Sequence, residues 1–177
     1  MPEFRAANTE DIPALHSLIE RAYRGDSARG GWTHEADLLG GQRTDTESLS
    51  AILHDPKQEI LICSDGEGIT GCVQVSNRGD GLCYLGLLAV DPGHQAAGLG
   101  RRLIEIAEKH AAHEQQANCM EMTVIAQRPE LIAYYERRGY RVTGEQRPFP
   151  MHDVRFGMPT TNELVFEVLM KCLQPIV

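Results

Sequence analysis

Across 177 residues no uninterrupted apolar run approaches the roughly 18–20 residues that would span a bilayer. The first residues, Met1-Pro2-Glu3-Phe4-Arg5, lack the apolar core of a secretory signal, so the cytoplasm is the expected compartment and no membrane partner is expected. Positive charge is scarce: 17 Lys and Arg stand against 25 Asp and Glu, a formal net charge of −8. A general nucleic-acid binder needs a basic field to replace phosphate counterions, so that class is set aside and a cationic or neutral partner is mildly favoured. An anionic ligand must then be held by donors gathered locally. The five cysteines, Cys63, Cys72, Cys83, Cys119 and Cys172, are odd in number, far apart and mostly within apolar strand-like runs. They read as reduced core thiols. His110 and His113 share a helix face, but no third ligand and no His-Glu-x-x-His pattern accompanies them, so no metal is expected. Internal repeats and low-complexity segments are missing as well.

What is present is the balance of a folded protein, 42% hydrophobic and 24% charged, in a length that suits one domain over residues 1–177. Glu3 to Ala7 reads as a strand, and Asn8 or Thr9 as the cap of a helix whose Ile12, Leu15, Leu18, Ile19 and Ala22 recur at helical spacing. Arg24 to Thr33, with three glycines and Trp32, reads as an ordered loop over a site, and His34 to His54 as an irregular helical region. Gln58 to Ser64 and Ile69 to Ser76 form a hairpin across Asp65-Gly66-Glu67-Gly68, joined by a third apolar run, Leu82 to Val90. Leu99, Leu103, Ile106 and His110 mark the clearest amphipathic helix. A buried strand (Met120 to Ala126), a helix (Pro129 to Arg138, stopped by Gly139) and strands Tyr140 to Thr143 and Asn162 to Cys172 follow, with a long loop from Glu145 to Thr161. Hairpins followed by strand–helix–strand units predict an α/β mixed sheet covered by helices.

Gln95-Ala96-Ala97-Gly98-Leu99-Gly100 lies between the buried strand and the amphipathic helix. A helix start leaves backbone N–H groups unpaired and carries an effective charge of roughly +0.5, so it can hold a phosphate. Small residues at 96, 97, 98 and 100 let a pyrophosphate approach, and Arg101 and Arg102 add positive charge in an otherwise acidic chain. The Walker pattern fails because Leu99-Gly100 replaces Lys-Ser/Thr, and the Rossmann pattern fails because Leu103 stands where the third glycine belongs.

Val90-Asp91-Pro92 through Gly100 resembles the acetyl-CoA signature of the GNAT N-acetyltransferase superfamily, Gln/Arg-x-x-Gly-x-Gly/Ala after a strand ending in Val-x-Pro. Tyr134-Tyr135-Glu136-Arg137-Arg138-Gly139-Tyr140 resembles its second signature, a tyrosine four residues before Gly-Phe or Gly-Tyr. The strand–helix order matches that superfamily from about residue 3 to 172. The resemblance implies the GNAT acyl-CoA N-acyltransferase fold, about seven mostly antiparallel strands with flanking helices and a splay between the fourth and fifth strands. It implies acetyl-CoA as co-substrate, held by Leu88, Ala89, Val90, Gln95, Ala96, Ala97, Gly98, Leu99, Gly100 and Arg101, with the pantetheine arm pairing along Leu88 to Val90. A backbone N–H near Leu88 would face the thioester oxygen. Many relatives have Asn seven residues before the tyrosine, where this chain has Arg128.

The transfer needs an unprotonated amine, although an alkylamine has a pKa near 10.4. Tyr84 to Leu88 offers no carboxylate as base, which leaves His34, Glu35, Asp37, His152 and Asp153. Tyr135, with an ordinary phenol pKa near 10, is the expected acid for the leaving thiolate, favoured by its offset to Gly139 over the alternative Tyr134, so the rate should fall at high pH as the phenol ionises. Trp32, Glu35 and Phe149 are the candidate acceptor contacts. The expected reaction is acetyl transfer from acetyl-CoA to a primary amine of a small molecule by direct attack in a ternary complex, with a homodimer allowed for. The alternatives are a protein N-terminal or lysine acetyltransferase and a non-catalytic acyl-CoA sensor.

Overall fold

Each element begins where its sequence supplies a cap or a break. After β1 (Glu3–Ala6), Asn8 accepts a hydrogen bond from Glu10 N (2.9 Å) while Asp11 accepts from Asn8 N (2.8 Å), a reciprocal capping box that opens a short 3-10 turn at Thr9–Asp11. The hydrogen bonds that Arg5 donates to Asp11 hold that carboxyl below its usual range. The chain continues as α1 (Ile12–Tyr23), whose Leu15, Leu18, Ile19 and Ala22 are buried. Asp45, accepting from Ser48 N at 2.7 Å, caps α2 (Thr46–His54). The computed structural model describes residues 2–23, 39–40, 44–148, 158–159 and 164–173.

A seven-stranded mixed sheet has the order β1-β3-β4-β5-β6-β9-β7. Its members are β1, β3 (Gln58–Asp65), β4 (Gly68–Gly79), β5 (Leu82–Val90), β6 (Cys119–Ile125), β7 (Arg141–Pro148) and β9 (Val165–Cys172). Only β5 and β6 run parallel among the described pairs, with α3 (Leu99–Glu114) as their crossover; α4 (Pro129–Arg137) joins β6 to β7. Alternation along β3 serves both faces: Leu61 and Cys63 enter the core under α3 and α4, and Ile60 and Ile62 the core under α1 and α2.

The elements read from sequence are present, with three corrections at the edges. Leu39–Gly40 is a strand, β2, pairing with β8 (Met158–Pro159), where a continuous irregular helix and a loop were expected. Strand β7 runs on to Pro148 through residues read as loop, since Gln146, Arg147 and Pro148 continue to pair with β9. Cys119 and Cys172 are not core thiols: they face each other in the β6–β9 register, their sulfurs 3.8 Å apart, and are half-buried and exposed, respectively. Gly139 does adopt the left-handed conformation expected past α4, at φ 99°, its N–H donating to Glu136 O (3.0 Å).

Two features of β5 shape the cleft. Its ladder with β4 slips by one residue between Cys72 and Gln74, and Leu87 there has φ 45°. A β-bulge with a leucine in left-handed backbone costs of order 1–3 kcal/mol and reverses the side-chain alternation. Cys83 and Leu85 therefore face the α3 side, whereas Leu87 and Ala89 face the α1 side. Secondly, the parallel ladder to β6 holds only at Leu82, Cys83 and Tyr84 opposite Cys119, Met120 and Glu121. Beyond Tyr84 and Glu121 the two strands part, the splay expected between the fourth and fifth strands.

Candidate active site

The parting of β5 and β6 opens a cavity of about 580 Å³, walled by Tyr84 to Leu88 on one strand and Met122 to Ile125 on the other, with Gln58, Gln74 and α2 residues closing it. A second cavity of about 330 Å³ lies between the end of β5, the start of α3 and α4. Tyr23, Leu88, Arg128, Leu131 and Tyr135 line both. The two chambers thus meet at the bulged strand, beside the tyrosine that the sequence singles out.

The turn into α3 is built by Asp91, whose carboxylate accepts from Gly93 N (3.0 Å) and from Arg21 (2.9 Å). Burial raises the Asp91 pKa, but those hydrogen bonds outweigh it and keep the carboxyl below the ordinary range. Pro92–Ala97 forms a 3-10 turn, and Gly98, at φ 74°, turns the chain into α3. A Cβ on Gly98 would meet nothing within 4 Å, whereas one on Gly100 would lie 3.2 Å from the Tyr134 hydroxyl. The two glycines therefore differ: Gly98 serves the turn and borders open space, and Gly100 lets Tyr134 reach the helix start.

Of the residues expected to hold the cofactor, Leu88, Ala89, Val90, Gly98, Gly100 and Arg101 line the smaller cavity. Leu99 turns into the core at 7% exposure, and Gln95, Ala96 and Ala97 contribute backbone to the 3-10 turn. The Leu88 carbonyl accepts a hydrogen bond from the Tyr23 hydroxyl, a contact between residues far apart in the chain that no local pattern signals. Arg102 points elsewhere, over the Phe4 ring at 4.9 Å. In its place the cavity wall holds Arg128, 4% exposed, and Arg138, whose guanidinium lies 4.8 Å above the Tyr134 ring. The Arg138 Nε is buried and makes no hydrogen bond among the described residues. With Arg101 these make three cations around a helix start, a donor set that fits the phosphates and pantetheine of acetyl-CoA.

Tyr135 is 6% exposed, and its ring packs edge-on against Tyr134 (5.4 Å) and Tyr140 (6.2 Å). It belongs both to the core under α3 and to the walls of the two cavities. Burial pushes its pKa well above the phenol range, neighbouring Tyr23 and Tyr134 push the same way, and Arg128 opposes them. Trp32, Glu35 and Phe149, and the base candidates His34, Asp37, His152 and Asp153, lie outside the described residues. Among the described residues, no carboxylate or histidine lines the larger cavity. No cluster of three metal-ligating side chains occurs among them, and His110 instead pairs with Glu59 at 2.7 Å.

A family model described as the acetyltransferase (GNAT) domain matches residues 34–154, more than half of the chain. The chain belongs to the GNAT acetyltransferase family. As a member it is an acetyl-CoA-dependent N-acetyltransferase, and its sheet, splay and flanking helices are the GNAT fold. Solved structures share that fold at low identity. The ribosomal-protein-S18-alanine N-acetyltransferase of Escherichia coli superimposes with TM-score 0.72 at 15% identity, over 100% of this chain and 97% of that one. The yncA protein of Salmonella typhimurium, solved with its cofactor acetyl-CoA, gives 0.68 at 19% over 100% and 96%. The spermidine N-acetyltransferase of Vibrio cholerae, solved with CoA and spermine, gives 0.69 at 15% over 97% and 95%. No curated protein matches the chain. Among the described residues, no helix of this GNAT protein is long and apolar enough to cross a membrane.

Proposed function

We propose that one domain, residues 1–177, transfers acetyl from acetyl-CoA to the primary amine of a small molecule by direct attack in a ternary complex. The observation that carries this reading is the meeting of two cavities at Leu88, Arg128 and Tyr135. The smaller, cationic and floored by the α3 start, takes the phosphates and pantetheine; the yncA structure, solved with its cofactor acetyl-CoA, supports that ligand. The larger, about 580 Å³ and so within the size of small-molecule sites, takes the acceptor. The Vibrio cholerae neighbour, a spermidine N-acetyltransferase solved with CoA and spermine, supports a small amine as the class of acceptor.

In this arrangement the amine nitrogen attacks the thioester carbonyl carbon, the C–N bond forms, and the C–S bond breaks. Tyr135 gives its phenolic proton to the departing sulfur, a role its protonated state at neutral pH allows. The displaced amine proton leaves to solvent or to a group beyond the described walls. Holding both reactants within one cleft supplies the proximity that a direct attack needs. The test is release of free CoA thiol when pure protein receives acetyl-CoA and a library of amines. Turnover of small amines with no transfer to peptide amino groups supports the proposal, and turnover only on peptides or proteins overturns it.

A further inference from the structure

We infer that Cys119 and Cys172 form a dithiol modification site, which a low-molecular-weight disulfide oxidises to an intramolecular disulfide that pins β6 to β9. The two residues stand opposite each other in the antiparallel β6–β9 ladder. One step along, the Leu173 N–H donates to the Asn118 carbonyl at 2.7 Å, so those two make a hydrogen-bonded pair and Cys119 with Cys172 the non-hydrogen-bonded pair beside it. The Cys119 N–H accordingly points the other way, donating to Gly81 O at 3.2 Å. In a non-hydrogen-bonded pair the side chains approach most closely, with Cα atoms about 4.5 Å apart, inside the span that a disulfide bridges. The sulfurs already lie 3.8 Å apart, so the bond can form with little movement of the backbone.

The two thiols differ in access, which gives the reaction an order. Both point away from α3, because their neighbours Met120 and Lys171 face that helix, Met120 in the core and Lys171 Nζ at 2.7 Å from Glu108. Cys172 is exposed: β7 begins at Arg141, opposite Met170, and does not extend alongside it. Cys119 is half-buried, and its Sγ–H donates to the Cys172 sulfur. Burial, and then that hydrogen bond, raise the Cys119 pKa, so Cys172 reacts first and Cys119 resolves. The Cys172 thiolate attacks one sulfur of the small disulfide, whose S–S bond breaks; one thiol leaves and a mixed disulfide remains on Cys172. Cys119 then gives its proton to solvent and attacks the Cys172 sulfur, and the second thiol leaves. Two protein thiols are oxidised and one small disulfide is reduced. The new bond joins positions 53 apart in the chain, closing a loop that contains α4 and β7, and so stabilises the fold by restricting the unfolded chain. It lies where β5 and β6 are still paired, before they part beyond Glu121, and so anchors the closed end of the cleft.

The probe is oxidised glutathione, added to the reduced full chain and followed by intact mass and by peptide mapping without reductant. The wild type should lose two hydrogens, carry no glutathione at the end and yield one linked peptide containing Cys119 and Cys172. Cys119→Ser should stop at a glutathione mixed disulfide on Cys172. Cys172→Ser should form its mixed disulfide on Cys119 at least about tenfold more slowly, since the remaining thiol is the half-buried one. The oxidised wild type should unfold at a higher denaturant midpoint than the reduced form, and reductant should reverse the shift. A mixed disulfide that persists in the wild type overturns the inference, as does a link between two copies or no reaction at Cys172. Equal midpoints for the oxidised and reduced wild type also overturn it, because the bond would then pin nothing. Should either serine variant not fold, the wild-type peptide map and midpoint decide.

Discussion

In the proposed reaction Tyr135 combines two roles that usually compete. Its ring is a packed member of the core and lines both cavities, and in that reaction its hydroxyl is the proton source for the departing sulfur. Tyr135→Phe keeps the ring, so packing survives. If the hydroxyl is the acid, kcat should fall on the order of 10²-fold or more with acetyl-CoA affinity little changed. Tyr134→Phe is the control: its hydroxyl lies against the start of α3, so it should alter acetyl-CoA binding more than kcat. Burial also revises the expected pH profile. The expectation of a rate falling as an ordinary phenol ionises near pH 10 does not hold for a phenol raised well above that range. A pH–rate profile should therefore show no descending limb from Tyr135 below about pH 10. Tyr135 stood out in the sequence through the resemblance of its offset from Gly139 to the family's second signature, and the structure places it on the walls of both cavities. Arg128 was visible only as a departure from a family pattern. Its burial follows from its place as the residue before α4, at the mouth of the splay, and depends on how β6 and β5 diverge.

At the scale of elements, the turn into α3 does two jobs with two glycines. Gly98→Val adds a side chain where there is open space, but it also strains a backbone at φ 74°. Gly98→Asn, which tolerates that conformation, separates the effects. Calorimetry should show acetyl-CoA affinity lost in Gly98→Val and reduced in Gly98→Asn, with native circular dichroism in both. Gly100→Val should instead destabilise by about 1–3 kcal/mol, because the added side chain meets the Tyr134 hydroxyl. Denaturant unfolding would measure this, and an unchanged midpoint would show that Tyr134 yields freely. Element types were legible because periodicity and caps are local: Asn8, Asp45 and Gly139 act within a few residues of their own position. The bulge at Leu87, the extension of β7 and the facing sulfurs of Cys119 and Cys172 were not. Each is set by the register of a strand far along the chain, and no local propensity encodes register.

Across the whole molecule, the sheet separates two cores, and the parallel junction of β5 and β6 opens into the cleft. The same arrangement buries Tyr135 and Tyr140, and burial raises both phenols above their ordinary range. Their stabilising contribution is fully present below the unfolded phenol pKa near 10 and is lost as pH rises above it toward the folded values. Chemical denaturation should give constant stability from these groups up to about pH 9 and a decline by pH 11, weaker in Tyr135→Phe. The central claim is that both substrates occupy the joined cavities at once, and initial-rate kinetics with acetyl-CoA and the best amine varied together test it most directly. The two-cavity account predicts double-reciprocal lines that intersect, with no acetylated protein detected by mass spectrometry. Parallel lines, together with an acetyl group recovered on the enzyme in the absence of acceptor, would contradict it.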